Sequence, residues 1–202
     1  MAENLPQVVT GKIMSDGNLT GGFRLKRSVV LVGMMGSGKT AIGKALSVRL
    51  NVPFQDSDAA IEEAAQLSIA EIFQRDGEPF FRKREAEVIS RLIKSQTCVL
   101  STGGGAFMSA AVRDVIAEHG VALWLDADLQ TLWERVRHKD TRPLLRTENP
   151  RQTLTDIYQT RMPVYALAGL RTHVLPGKTI EQTTELVLRT LSSAPHVLEP
   201  LS

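Results

Sequence analysis

A chain of 202 residues, 43% hydrophobic and 23% charged, is long enough for one sizeable core and has the composition of an ordinary globular domain. Its 24 Lys and Arg against 22 Asp and Glu leave a net charge of only +2, and aromatics make up 5%, so neither a basic phosphate-binding face nor base-stacking platforms are expected, and no nucleic-acid partner. No apolar run approaches the ~20 residues that cross a bilayer, so no membrane partner is expected, and the single Cys98 fits a reduced cytoplasmic setting without an intramolecular disulfide.

Residues 1–27 include Asp16-Gly17-Asn18 and Gly21-Gly22 with little periodicity, and read as a flexible N-terminal extension. The first ten residues lack the basic start and apolar core of a secretory signal. A buried strand follows at 29–32, where Val29 to Val32 form an apolar, β-branched run. It leads into Gly33-Met34-Met35-Gly36-Ser37-Gly38-Lys39-Thr40, which fits the phosphate-loop pattern Gly-x-x-x-x-Gly-Lys-Ser/Thr at every fixed position. Ile42, Ala45, Leu46 and Leu50 then recur at helical spacing, so the loop stands between strand and helix, as its chemistry requires. Glycines let the chain curl until backbone N–H groups point at phosphate oxygens beside the positive end of the new helix. Gly36, Ser37, Gly38, Lys39, Thr40 and Ala41 are therefore expected to hold a nucleoside triphosphate, Lys39 as a point charge for its β- and γ-phosphates and Thr40 as a Mg²⁺ ligand.

Further strands are predicted at 53–55, 98–101, 121–125 and 172–175. Helices are predicted at 39–50, 58–75, 79–95, 108–119, 129–138, 151–165 and 179–192, with left-handed caps at Asn51 and Gly120. Alternating strands and helices imply a parallel sheet covered on both faces, with ligands beyond the carboxyl ends of its strands. Three loops stand there. Asp56-Ser57-Asp58 follows the second strand, with carboxylates two apart and so on one side of an extended segment. One suits the Mg²⁺ shell and the other the orientation of an attacking hydroxyl, although an N-cap aspartate beside a turn aspartate gives the same pattern. The position beside a phosphate loop favours the catalytic reading. Ser101-Thr102-Gly103-Gly104-Gly105 follows the third strand; three glycines in a row suit close backbone approach to a ligand, or a tight turn. No acidic residue stands there, so Asp56 becomes the candidate for the metal shell. The third loop is basic, with Arg135, Arg137, His138, Lys139, Arg142 and Arg146 around Arg142-Pro143-Leu144-Leu145. It reads as a lid over about 137–150, because phosphoryl transfer needs water excluded and charge neutralised; a solvated charged face is the alternative.

Arg82 and Glu85 lie three apart on one helix face, and Arg161 stands near the end of another helix. A guanidinium fork matches a carboxylate, so Arg82 and Arg161 suit an anionic small substrate. The four histidines show no metal-ligand spacing.

The phosphate loop, Asp56-Ser57-Asp58, Phe81-Arg82-Lys83-Arg84-Glu85, Gly103-Gly104-Gly105, Arg142-Pro143-Leu144-Leu145 and Arg161-x-Pro-x-Tyr165 together resemble the shikimate kinase family, over residues 28 to about 191. The resemblance implies a three-layer α/β fold like that of nucleoside monophosphate kinases, with a five-stranded parallel sheet over 28–192 and a C-terminal tail at 193–202. It implies transfer of the ATP γ-phosphate to the 3-hydroxyl of shikimate, on the route to chorismate and the aromatic amino acids, with Mg²⁺ as cofactor, in a monomer. By matched position, Lys39, Asp58 and Arg142 are the catalytic set. Asp58, Arg82, Gly104 and Arg161 hold shikimate, flanked by Glu85, Gly103 and Gly105. Thr40 and Asp56 serve Mg²⁺, Arg142 reaches the ATP phosphates, and Arg137 and Lys178 lie near the adenine. The stretch between Trp133 and Arg142 is short for the family. Two alternatives stand beside this reading: a gluconate-type kinase of the same fold, and a non-catalytic nucleotide or shikimate sensor.

Overall fold

The computed structural model describes residues 12–13, 19–20, 22–138 and 143–201. Two short pairs, β1 (Lys12–Ile13) with β2 (Leu19–Thr20) and later β3 (Phe23–Leu25) with β9 (Leu198–Pro200), lie outside the central sheet. That sheet is built from β4 (Ser28–Val32), β5 (Phe54–Asp56), β6 (Val99–Ser101), β7 (Gly120–Ala127) and β8 (Leu170–Val174). All four pairings are parallel and the order is β5-β6-β4-β7-β8. The phosphate-loop strand β4 is central and buried at every residue, as a strand covered on both faces must be. The helices are α1 (Lys39–Leu50), α2 (Ser57–Ala65), α3 (Ile69–Ser95), α4 (Ala110–His119), α5 (Leu129–Val136), α6 (Pro150–Tyr165) and α7 (Ile180–Ser192). Among the described residues no helix is long and apolar enough to cross a membrane.

Every predicted strand and helix is present within a few residues, and three details differ. The predicted helix over 58–75 is two helices: α2 ends at Gln66, whose φ of 52° is left-handed, and Ser68 restarts the chain with a capping box to Glu71. The predicted gap before 79 is a kink inside α3, at Gly77 with φ of 82° just ahead of Pro79. Gly120 is extended (φ −156°) instead of left-handed; its glycine is needed for space, since a Cβ would stand 2.7 Å from both the Ser28 carbonyl and Ile93 Cδ1.

Residues 23–27 and 194–200 also depart from the expected extension and tail. Arg24 pairs with Glu199 across β3 and β9, and Leu25, Ala194, Val197 and Leu198 are buried in the main core. The pairing of β3 with β9 therefore ties both segments to the folded body. A second, smaller core of Ile61, Ile72 and Phe81, backed by Phe73, joins α2 to α3 on either side of the kink. That small core sets the position of the helix surface carrying Arg82.

Candidate active site

The carboxyl ends of β4, β5, β6 and β8 open into a cleft of ≈ 590 Å³. In its floor, the phosphate loop turns through positive φ at Gly33 (139°), Gly36 (83°) and Gly38 (98°), conformations only glycine adopts cheaply. Gly38 is the N-cap of α1 and offers no capping side chain, so the first N–H groups of that helix face the cleft. Lys39 Nζ donates to the carbonyls of Gly33 (2.9 Å) and Met34 (3.0 Å), spanning the loop from within. Ser37 is fully buried beneath it, and Ala41 lines the cleft wall.

Thr40 Oγ1 donates to Asp56 Oδ2 at 3.1 Å and lies 3.4 Å from Ser101 Oγ. Three oxygens from α1, β5 and β6 thus converge, and hard oxygen donors of this kind suit Mg²⁺. Asp56 is the N-cap of α2, its Oδ1 accepting from Asp58 N (3.1 Å) and Ala59 N (3.4 Å), while its Oδ2 faces Thr40. Ser101 carried no distinguishing mark in the sequence. Its place comes from sheet register, which sets it opposite Asp56. No group of three or more His, Cys, Asp or Glu side chains with metal-binding geometry occurs among the described residues.

One step further in lies Asp58, half-buried, with Oδ1 shut from solvent and without a hydrogen-bond partner among the described residues. Burial pushes its carboxyl above the ordinary range and the Asp56 charge adds to this, while Lys39 and Arg82 pull the other way. Beside it is Glu85, only 1% exposed, whose Oε2 accepts from Arg82 Nη1 at 2.7 Å. Burial raises the Glu85 carboxyl as well, against the pull of the Arg82 guanidinium. Arg82 is held from its other side by Glu78 (3.1 and 3.0 Å) and lies over the rings of Phe81 and Phe73. Arg161 approaches from α6.

The triple glycine explains how these side chains fit together. Thr102 anchors it beside the phosphate loop, donating through Oγ1 to the Leu31 carbonyl at 3.0 Å. None of Gly103, Gly104 and Gly105 has a positive φ, so left-handed geometry is not the reason for them. A Cβ on Gly103 would stand 2.7 Å from Asp58 Oδ1 and 3.0 Å from Glu85 Oε1; one on Gly104, 3.4 Å from Arg161 Nη1; one on Gly105, 2.5 Å from Arg82 Nη2. The close approach expected of these glycines is an approach to the four charged side chains of the site.

The basic region divides. Arg135 lines the cleft and donates through Nη1 to the Gly36 carbonyl at 3.1 Å. Arg137, the residue expected near the adenine, is exposed at the C-cap of α5 and lines no part of the cleft. Two residues along a helix turn a side chain about 200° away, so Arg135 faces the loop and Arg137 does not. Lys178 does line the cleft, in the turn after β8. Arg142 lies outside the described residues, as do residues 139–141; beyond them Leu145 is buried in the main core.

Comparison with known proteins adds a family. The family model described as "Shikimate kinase" matches residues 35–192. A shikimate kinase of Ruegeria pomeroyi is 58% identical over 180 residues, which is 89% of this chain and 92% of its own. One of Cereibacter sphaeroides is 58% identical over 176 residues, covering 87% and 88%. The structure of shikimate kinase from Acinetobacter baumannii in complex with shikimate matches with a TM-score of 0.76 at 32% identity, over 83% of this chain and 94% of that one.

Proposed function

This chain belongs to the shikimate kinase family, and from that premise we propose how its residues divide the transfer of the ATP γ-phosphate to the 3-hydroxyl of shikimate. The observation that carries the assignment is the grouping around Gly103–Gly105: two carboxylates, Asp58 and Glu85, and two guanidiniums, Arg82 and Arg161, lie against the three glycines, and Asp58, Gly103 and Gly104 line the same cleft as the phosphate loop. Two forks suit a carboxylate-bearing acceptor, and Asp58, the carboxylate not hydrogen-bonded to either fork, suits its reacting hydroxyl. Gluconate also carries a carboxylate, so the preference for shikimate rests on the family together with this grouping.

The N–H groups of the loop and of the first turn of α1 receive the phosphates, and Lys39 leaves its two carbonyls to meet the γ-phosphoryl oxygens. When bound, Mg²⁺ would supply positive charge against the charge that develops during transfer. Thr40 and Asp56, supported by Ser101, are the residues that would hold it or its water shell. Arg82, kept in place by Glu85, and Arg161 bind the acceptor's carboxylate. Asp58 accepts a hydrogen bond from the 3-hydroxyl and takes its proton as the oxygen bonds to the γ-phosphorus and the bond to the β-phosphate bridge breaks. A carboxyl lifted above its usual range by burial is the better proton acceptor for this. Arg142 neutralises the phosphates from the lid, and Lys178 borders the nucleotide end of the cleft.

A coupled ADP-release assay with shikimate, gluconate and no acceptor tests the assignment. Turnover should require shikimate. Equal ADP release with gluconate, or with no acceptor, would overturn it.

A further inference from the structure

Tyr165 is the residue of the site region that the reading above leaves without a role. It stands four residues after Arg161 on α6, hence on the same helix face. It is also among the largest side chains of the protein to be fully buried, at 1% exposure. Its ring is nearly parallel to Phe107 (centroids 6.5 Å apart, 14° between planes) and to Trp124 (6.1 Å, 23°). Rings packed in this way leave the phenol oxygen little freedom. The hydroxyl donates to the carbonyl of Gly104 and interacts with the Arg161 guanidinium. A phenol has one proton to give, so with that proton on Gly104 its oxygen accepts from the guanidinium. Burial pushes the phenol up to about 12, which keeps the donor protonated throughout the pH range in which a kinase works.

The bonded carbonyl belongs to the peptide that joins Gly104 to Gly105. Its two neighbours in the loop are already used in the turn, since Gly103 accepts from Ala106 N and Gly105 from Met108 N, both at 3.1 Å. Gly104 instead depends on Tyr165 for its orientation. Gly105, the other end of that peptide, lies directly against the Arg82 guanidinium, while Gly104 lies beside Arg161 and the backbone of Met35 and Gly33. One hydroxyl therefore touches Arg161 directly and fixes the peptide plane on which Arg82 rests. We propose that Tyr165 is a positioning residue for the acceptor site: its hydroxyl holds the Gly104–Gly105 peptide and Arg161 in register, so that the two guanidiniums present one carboxylate-sized gap. The inference rests on the reading of Arg82 and Arg161 as the carboxylate clamp.

Tyr165→Phe tests it, because the variant keeps the packed ring and removes only the oxygen. Loss of one hydrogen bond to a charged group should raise the shikimate Michaelis constant by about tenfold, with the ATP constant within about twofold and kcat falling less than shikimate affinity, as expected when ground-state and transition-state binding are lost together. A thermal melt on the same preparation establishes that the variant is folded. The effect should also disappear in an Arg161→Lys background, since a residue that acts through Arg161 has nothing left to position there. Wild-type shikimate affinity in Tyr165→Phe, a parallel loss for ATP, or full additivity with Arg161→Lys would each overturn the proposal. If Arg161→Lys alone leaves shikimate binding untouched, the clamp itself has been misplaced, and that failure is distinct from the failure of Tyr165.

Discussion

Adding a single methyl group at Gly105 should disable the acceptor site without unfolding the protein. Gly105 has φ −94° and ψ −17°, a conformation that alanine adopts without strain, so no backbone penalty is expected. The new Cβ would stand 2.5, 2.7 and 2.8 Å from Nη2, Nη1 and Cζ of Arg82, whereas ordinary contact begins near 3.4 Å. The guanidinium must therefore retreat by about 1 Å, and a displacement of that size in a binding constellation costs on the order of a hundredfold. It cannot retreat freely, because Glu85 holds it at 2.7 Å and the Phe73 and Phe81 rings back it. Gly105→Ala should thus raise the shikimate dissociation constant by roughly a hundredfold in titration calorimetry, and leave ATP binding within about threefold. Gly104→Ala supplies the contrast, since its nearest contact would be an acceptable 3.4 Å to Arg161; its loss should be far smaller. Shikimate binding in Gly105→Ala within threefold of wild type, or equal losses at Gly104 and Gly105, would refute the argument that these glycines make room for the clamp.

Three further results are expected. Lys39→Ala should lower turnover by roughly a thousandfold through loss of the cation facing the transferring phosphoryl group, with an unchanged circular dichroism spectrum because Lys39 faces the cleft; turnover within threefold of wild type would remove its assigned role. Asp56→Asn should weaken apparent Mg²⁺ affinity and be partly rescued by added Mg²⁺, whereas Asp58→Asn should lose roughly a hundredfold or more in kcat with no rescue; a magnesium titration giving the opposite pattern would mean that the two carboxylates have exchanged roles. Asp58→Asn should also melt at a higher temperature than wild type at pH 7–8. Burial, then the Asp56 charge, raises the folded-state pKa, so the folded protein binds this proton more tightly than the unfolded chain, and stability falls as pH rises from about 3.9 through the folded value. Asparagine carries no such cost, and the gap should close as pH drops below that window; melting curves that stay parallel across the window would contradict it.

Features written locally were legible from the residues alone. The phosphate loop combines a β-branched run, three glycines at fixed positions and a helical repeat within one continuous segment, so strand, loop and helix could be placed to within a residue. The Ser68–Glu71 capping box was equally local, and the break it marks was overlooked because the apolar pattern runs on across it. Features that depend on register or phase were not legible. Ser101 reaches Thr40 because β5 and β6 pair in one register, and Arg135 instead of Arg137 meets Gly36 because of where α5 starts its rotation. The pairing of Leu25 with Leu198 joins segments from opposite ends of the chain, neither of which is periodic enough to announce a strand. Tyr165 closes the Arg161-x-Pro-x-Tyr165 motif, but its contact with the Gly104 carbonyl depends on how α6 meets the glycine loop.

The site concentrates features that oppose folding in the place where the core can bear them. Two half- or fully buried carboxylates, Asp58 and Glu85, are both raised by burial, Glu85 further by the Asp58 charge, and each has one oxygen without a partner among the described residues. An unpartnered buried polar atom costs on the order of 1–3 kcal/mol, and a run of three glycines adds an entropic cost. All of these lie on residues that immediately follow strands or on the helix packed against them. A few residues back along the same chain segments, Val29 to Val32 and Val99 to Leu100 are completely buried. Strand residues that stabilise and loop residues that destabilise thus alternate along a single edge of the sheet. Removing charge at that edge is expected to gain stability and lose catalysis together, because the geometry that binds the acceptor is the geometry that leaves its polar groups unpaired.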